Sequence, residues 1–420
     1  MKTKAVRIYG KNDLRLEEFE LPPLQEDEIL AHIVSDSICM SSYKMAIQGE
    51  EHKRVPDNLS QNPVIVGHEF AGELVEVGAK WRKDFARGDK FSIQPALNYQ
   101  GSLAAPGYSF PYIGGDATYV IIPNVVMEQG CLLPFRGEAF FHASLSEPAS
   151  CIIGAFHASY HTESGKYVHQ MGIKPGGNLA ILAGAGPMGL GAIDYAIHCD
   201  RRPKLLVVTD IDDTRIGRAE AIFTPQEAEQ YGVTLRYVNT ASLANPAEYL
   251  RSLTGKGGYD DVFVFAPVKP VVEQGDRILG RDGCLNFFAG PTDPDFSALL
   301  NFYNVHYAST HLVGTSGGNT EDMKEALLMM EQGKLNPAVM VTHIGGLDAV
   351  VETTLNLPHI PGGKKLIYTG CEMPLAPITE FSEKGKSDPL FRELASITRR
   401  HNGLWSAEAE RFLLNSFTKV

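Results

Sequence analysis

Short apolar runs separated by Gly, Pro and Asp turns dominate the chain to about residue 155, among them ILAHIV from Ile29, GELVEVG from Gly72 and ATYVII from Ala117. Runs of this length bounded by turn residues predict strands, and their close spacing predicts a compact, mostly antiparallel unit. From about Lys174 the rhythm changes to apolar strand, glycine turn and helix: NLAIL, GAGPMG, LGAIDYAIH and LLVVTD, followed later by DDVFVFA and CLNFFAG. That alternation predicts a parallel sheet with crossover helices. Past residue 315, EDMKEALLMMEQGKLNP carries apolar positions at helical spacing and stops at Gly and Pro, and after it only KKLIYTG reads as a strand. Beyond Cys371 the chain opens with Pro-bearing polar residues, then offers PLFRELASITRR and AEAERFLLNSF as amphipathic helices. This tail is expected to be an appendage packed on the body or on another subunit. No internal repeat or low-complexity segment interrupts the pattern.

Composition narrows the picture in three ways. At 420 residues the chain is too long for one ordinary core, so two domains are expected. A net charge of −12 disfavours a nucleic-acid partner, whose affinity comes from clustered Lys and Arg, but leaves room for one small phosphate. The six cysteines are scattered without a C-x-x-C pair, no apolar run reaches roughly eighteen residues, and MKTKAVRIYG has no signal-peptide core. No membrane partner and a cytoplasmic location are therefore expected.

Gly184-Ala-Gly186-Pro187-Met188-Gly189 is a G-x-G-x-x-G placed directly after an apolar strand and before a helix. In that context the glycines allow a tight turn and close backbone approach, and the helix offers its first N–H groups and dipole to a pyrophosphate. Asp210 ends the next apolar strand, where a carboxylate accepts hydrogen bonds from ribose hydroxyls. Its charge repels a 2′-phosphate, which favours NAD(H) over NADP(H); Arg215 and Arg218 downstream soften that preference and keep NADP(H) open. The competing reading, a glycine turn with an aspartate merely closing a strand, needs three coincidences.

Cys39 with Ser41 and Ser42, Gly67-His68-Glu69, and Ser146-Glu147-Pro148 offer thiolate, imidazole and carboxylate donors, all acceptable to zinc. Spacing alone leaves the matter open. A buried Cys, a His-Glu pair and a Glu before Pro at a helix start each have ordinary structural roles.

In order, Cys39 within SDSICMSS, VGHEFAGELVEVG from Val66, Gly88-Asp89, GGDATYV from Gly114, SEPASC from Ser146, GAGPMG, Asp210 and GKLNP from Gly333 resemble the zinc-containing medium-chain dehydrogenase/reductase family. The SEP element resembles its polyol dehydrogenase branch, in which a glutamate replaces a third cysteine or histidine ligand. The resemblance implies an α/β chain: a GroES-like, mostly-β catalytic domain over 1–160 and 316–371, a Rossmann doubly wound parallel sheet over 161–315, and an extension over 372–420. It implies that Cys39, His68 and Glu147 hold one catalytic zinc, with Glu69 a carboxylate able to replace or join a ligand. Ser41 takes the position of the proton-relay residue, and Lys365 that of a basic side chain facing the cofactor phosphates.

Two departures bear on this. The stretch SIQPALNYQGSLAAPGYSFPY lacks the four cysteines that hold a structural zinc in many relatives, so none is expected. Ser42 and Thr118 stand where many relatives have Asp and Glu, which changes the groups orienting the ligands. The implied activity is hydride transfer between NAD(P)H and a ketose or polyol phosphate, with reduction of L-sorbose 1-phosphate to D-glucitol 6-phosphate as the narrowest form. Lys44, His52, Lys53 and Arg54 are candidate phosphate anchors. The alternatives are an unphosphorylated polyol or secondary alcohol as substrate, or a non-catalytic dinucleotide-binding protein; retention of all three ligand types argues against the last. A homodimer or homotetramer is implied, with CLNFF as the strand that pairs edge to edge.

Overall fold

The computed structural model describes residues 1–255 and 257–417, and the chain divides into two compact units. The first comprises Met1–Glu147, Asn319–Gly333 and Pro337–Val420, the second Pro148–Gly318 and Lys334–Asn336.

In the first unit, strands β1 (Lys2–Gly10), β2 (Asp13–Glu20), β3 (Ile29–Ile38), β4 (Val64–Ile65), β5 (Ala71–Val77), β6 (Lys90–Ile93), β7 (Tyr119–Ile122) and β8 (Leu132–Phe135) follow one another, with helix Met40–Gln48 and a loop between β3 and β4 and a long loop between β6 and β7. Strands β2, β1 and β4 form one antiparallel sheet; β3 pairs antiparallel with both β5 and β7 and belongs to a larger one. Ile29, Ala31 and Ile33 of β3 pack with Phe70, Leu74, Phe91, Val120 and Ile122 in one buried cluster, the inward face of a strand of period two. This frame pairs and buries β3 up to Ile38, and Cys39 is the next residue.

The second unit begins within helix Ser146–Ala158, follows with a hairpin, β9 (Tyr160–Thr162) and β10 (His169–Met171), and continues with β11 (Asn178–Leu182), β12 (Leu205–Asp210), β13 (Thr234–Asn239), β14 (Tyr259–Val264), β15 (Leu279–Phe287) and β16 (His311–Val313). The last six form one parallel sheet in the order β13-β12-β11-β14-β15-β16. Its order reverses beside β11, the place where doubly wound sheets bind dinucleotides. Both faces of the sheet are covered, so LLVVTD is buried throughout. The expectation for CLNFF is corrected here. Its strand, β15, lies between β14 and β16 and has no free edge; β13 and β16 are the edges. An apolar run buried on both faces reads the same whether it is central or at an edge.

The chain then returns to the first unit with helix Thr320–Glu331, whose Met323 and Leu327 pack on Leu133 and Phe135. KKLIYTG is not the only strand that follows. It forms β18 (Lys364–Tyr368), parallel to a preceding β17 (Val341–Gly346), with helix Val350–Asn356 between them. β17 escapes notice because VTHIGG mixes His and glycines into an otherwise buried strand. A two-residue β19 (Ala376–Pro377) closes that edge, and β18 pairs antiparallel with β3. The tail helices Pro389–Arg400 and Ala407–Phe417 pack on the body of this unit, where Trp405 is fully buried and donates from Nε1 to the Tyr368 hydroxyl at 2.7 Å.

Candidate metal centre and dinucleotide turn

β3 delivers Cys39, the turn after β4 delivers His68 and Glu69, and helix Ser146–Ala158 opens with Glu147. One donor atom each from Cys39, His68 and Glu69 lie within 4.8 Å of one another, a spacing that a single metal ion can bridge. Glu147 is near enough for its charge to act on His68, Cys39 and Glu69. Gly67, at φ +92°, makes the approach possible: a Cβ there would lie 2.7 Å from the Asp116 nitrogen.

The electrostatics of these donors are those of a site arranged around a cation. Burial, followed by repulsion from Glu69, pushes Glu147 up to about 7, and burial raises the Cys39 thiol. His68 is lowered by burial, against the pull of Glu147 and Glu69, which leaves the neutral imidazole that metals bind. A dication among these groups favours thiolate and carboxylate and offsets their mutual repulsion. Among the described residues this is the one group of three or more His, Cys, Asp or Glu side chains with metal-holding geometry.

Glu69 has a further role that spacing did not reveal. Its carboxylate accepts from Lys364 Nζ at 2.5 and 2.6 Å and from the Ser37 hydroxyl. Burial works against ionisation of Glu69, but Lys364 outweighs it and the group lies below its usual range. The backbone N–H of Glu69 donates to Asp36 at 3.2 Å. Beside Asp36 lies Asp116, and burial drives both upward, Asp116 to about 7, so the two hold a proton near neutrality.

His68 is held at both nitrogens. Nδ1 lies 3.5 Å from the Ser42 hydroxyl, and Nε2 lies 3.2 Å from the hydroxyl of buried Tyr108. Ser42 is thus the hydroxyl that meets Nδ1. Thr118 instead ties the sheet to the N-terminal strand, accepting from Lys4 N and meeting Thr3 Oγ1. The Ser41 hydroxyl is 3.7 Å from the Cys39 sulfur and within hydrogen-bonding reach of Tyr108. Lys365 is neither solvated nor in this cluster. Its ammonium donates to the carbonyls of Ile360, Pro361 and Gly363, and burial lowers it to about 8.

In the second unit, Gly184, Gly186, Pro187, Met188 and Gly189 turn from β11 into helix Pro187–His198, with Gly186 as N-cap and Pro187 at the first helical position. Gly189 must lack a side chain, because a Cβ there would come within 2.0 Å of the Gly184 carbonyl oxygen. A Cβ on Gly186 would meet nothing within 4 Å, leaving open space beside the helix N-terminus. Ala183 adopts φ +55° at the entry to this turn, a strained value for a residue with a side chain. Asp210 ends β12, buried, and accepts from the backbone N–H groups of Ala185, Ile211 and Asp212. Arg215 reaches back to Asp212, 3.8 Å away.

The residues missed from the sequence are Ser37, Lys364 and Tyr108. Ser37 had a signal, two residues before Cys39 on a strand of period two. Lys364 had half of one, because KK at a strand start puts one lysine on each face. Tyr108 had none.

A GroES-like β domain and a parallel sheet entered through a glycine turn define a class, and the chain matches its models: "alcohol dehydrogenase GroES-like domain" over residues 25–129 and "zinc-binding dehydrogenase" over 187–332. It belongs to the zinc-containing medium-chain dehydrogenase/reductase family and is an oxidoreductase of the zinc-dependent type. It is 52% identical over 415 residues to mannitol-1-phosphate 5-dehydrogenase of Aliivibrio fischeri, covering 99% of this chain and 98% of the relative. It is 51% identical over 412 residues to L-sorbose 1-phosphate reductase of Klebsiella pneumoniae, covering 98% and 97%. The solved structure of 2R,3R-butanediol dehydrogenase from Bacillus subtilis shares the fold, with a TM-score of 0.69 at 21% identity, covering 87% of this chain and 99% of that one.

Proposed function

We propose that the protein is a zinc-dependent, nicotinamide-linked ketose phosphate reductase, whose narrowest reaction is L-sorbose 1-phosphate to D-glucitol 6-phosphate. The observation that carries this is the cluster of half-buried Cys39 with buried His68 and Glu69, with Glu147 beside it. Two relatives named for phosphorylated substrates match at over half identity along nearly the whole chain and support the substrate class.

In this reading Cys39, His68 and Glu147 hold the metal and Glu69 stays paired with Lys364, ready to exchange for a ligand. When bound, zinc supplies the Lewis acidity that polarises a carbonyl or acidifies an alcohol, and the nicotinamide supplies or accepts the hydride. The Ser41 hydroxyl, able to donate and accept, passes the substrate proton outward. Ser42 holds the His68 ring at Nδ1 and so sets its orientation, while Nε2, which meets the Tyr108 hydroxyl, is the nitrogen that would turn to the metal. The glycine turn seats the pyrophosphate, and Asp210 meets the adenosine ribose and disfavours a 2′-phosphate, so NADH is the preferred reductant. Lys365, given its three carbonyl partners, stabilises the loop 360–363.

We propose that the protein works in the reducing cytoplasm, where its six cysteines stay reduced. It assembles as a homodimer through the exposed edge at β16, around which Leu299, Phe302, Tyr303, Tyr307 and Leu312 are all exposed.

The test is an assay of purified, metal-quantified protein, following NADH and NADPH oxidation separately with L-sorbose 1-phosphate and with L-sorbose. Turnover of the phosphate with about one zinc per chain, abolished by chelation and restored by zinc, is the expected result. Activity on the free sugar alone would move the protein to the general polyol dehydrogenases, and absence of both zinc and turnover would sink the catalytic reading.

A further inference from the structure

The cysteine-free stretch after β6 puts Tyr108 into the metal centre, with its ring 4.8 Å from the His68 ring. The same tyrosine carries two residues of the loop after helix Met40–Gln48. His52 stacks on it at 5.6 Å with the planes 8° apart, and the Arg54 guanidinium carbon lies 5.6 Å from its centroid. These two steps bring the guanidinium within about 10 Å of the imidazole, on a platform shared with the metal ligand.

Arg54 is held in place but not neutralised. Its Nη1 donates to the Leu103 carbonyl at 3.2 Å, and its own carbonyl accepts from the Ser109 hydroxyl at 2.6 Å. Among the described residues it makes no ion pair with a carboxylate, and its Nε and Nη2 make no hydrogen bond. Of the three acids of the same loop, Glu51 pairs with Lys11 at 2.5 Å, Glu50 accepts from Leu59 N at 2.9 Å, and exposed Asp57 makes no ion pair with Arg54. The field here is positive. His52 is lowered to about 4, by burial first and then by Arg54, Lys53, His68 and Lys44. An anchored, half-buried guanidinium with a free pair of N–H groups fits a planar or tetrahedral oxyanion two oxygens at a time. Lys53, by contrast, is exposed and bonded to nothing among the described residues.

We propose that Arg54, seated on Tyr108, is the residue that reads the phosphate of the substrate and so separates phosphorylated ketoses from free ones. This rests on the ketose phosphate reading above. A phosphate on the carbon next to the ketone is three bonds from the reacting carbon, and the guanidinium lies within about 10 Å of the His68 imidazole. Neither Lys44 nor Lys53 is fixed against the metal centre, so both act only through the general field.

The experiment measures the ratio of kcat/KM for L-sorbose 1-phosphate to that for L-sorbose in the zinc-loaded enzyme and in Arg54→Gln, Arg54→Lys and Lys53→Gln. Removing a bidentate, charge-assisted contact is expected to lower the ratio ~10- to 100-fold in Arg54→Gln, chiefly through KM for the phosphate. Arg54→Lys, which keeps charge but loses the fork, falls between, and Lys53→Gln moves the ratio less than about threefold. Inorganic phosphate inhibits the native enzyme competitively, with an inhibition constant raised by a similar factor in Arg54→Gln at undiminished zinc content. If Arg54→Gln keeps the native ratio, or loses both substrates equally, Arg54 is not the reader although the ketose phosphate reading stands. If the native enzyme shows no preference for the phosphorylated sugar, that reading fails and this one with it.

Discussion

The Glu69–Lys364 pair shows how much one residue can decide. Both groups are buried, so each is tolerable only because of the other; removing one partner leaves a charge without compensation. Lys364→Met is therefore expected to destabilise the zinc-free protein by about 3–5 kcal/mol in urea denaturation, and Lys364→Arg to recover part of that. Zinc retention on dialysis should rise in Lys364→Met, because a Glu69 carboxylate without its ammonium is free to join the dication, which no longer faces a neighbouring positive charge. An unchanged unfolding midpoint would show that the pair is not coupled to the fold. The neighbouring lysine gives the control. Lys365 bonds only to carbonyls, so Lys365→Met should leave zinc affinity within about twofold.

At the scale of elements, two pieces of the chain act on places far from them in sequence. Helix Phe140–Ser144 has no capping side chain of its own; its first two N–H groups donate to Glu410 of the C-terminal helix, at 2.6 and 2.9 Å. Glu410 also accepts from the Tyr368 hydroxyl at 2.8 Å, and Arg411 pairs with Glu138. Helix Phe140–Ser144 runs directly into Ser146-Glu147, so the tail fixes the segment that presents a proposed ligand. Glu410→Ala should lower stability by about 2–4 kcal/mol, since it leaves buried donors unsatisfied, and should weaken zinc binding without touching the metal. Equal zinc affinity in the variant and native protein, measured by competition with a chromophoric chelator, would separate the tail from the site. In the other unit, His161 of β9 bonds Asp261 of β14 at 3.2 Å and faces Asp282. Burial lowers His161, but Asp261 and Asp282 outweigh it and the imidazole lies above its ordinary 6.5. A raised histidine contributes stability that is complete below pH 6.5 and lost as pH rises through the folded value. The melting temperature should thus fall between pH 6 and 8.5 more steeply in the native protein than in His161→Gln, and parallel slopes would refute the assignment.

At the scale of the whole molecule, the parallel sheet ends at β16 with its outer edge unpaired among the described residues, beside helix Phe302–Ala308. Leu299 at 79% and Phe302 at 75% exposure are costly to leave in water. A single charge at the edge, Leu312→Glu, should convert a dimer to a monomer in light scattering, with the fold retained by circular dichroism. If the native protein is itself monomeric at micromolar concentration, the edge has another use. The chain's −12 charge keeps such a monomer soluble.

Much of this protein was settled by local rules acting on its sequence. The glycine turn is legible because only glycine satisfies the Gly189–Gly184 approach, and the tail helices are legible because their apolar positions recur at the helical period. The same holds for the parallel sheet, whose strands are apolar throughout because both faces are covered. Tertiary structure alone decided three things. It chose Lys364 over Lys365 for the cluster, since adjacent strand residues face opposite ways and the register of β18 on β3 selects the side. It brought Tyr108 and Glu410 to partners 40 and about 270 residues away, distances across which no periodicity carries information. It also made β16, not β15, the edge of the sheet, because strand order depends on the path of the crossovers and not on the composition of any one strand.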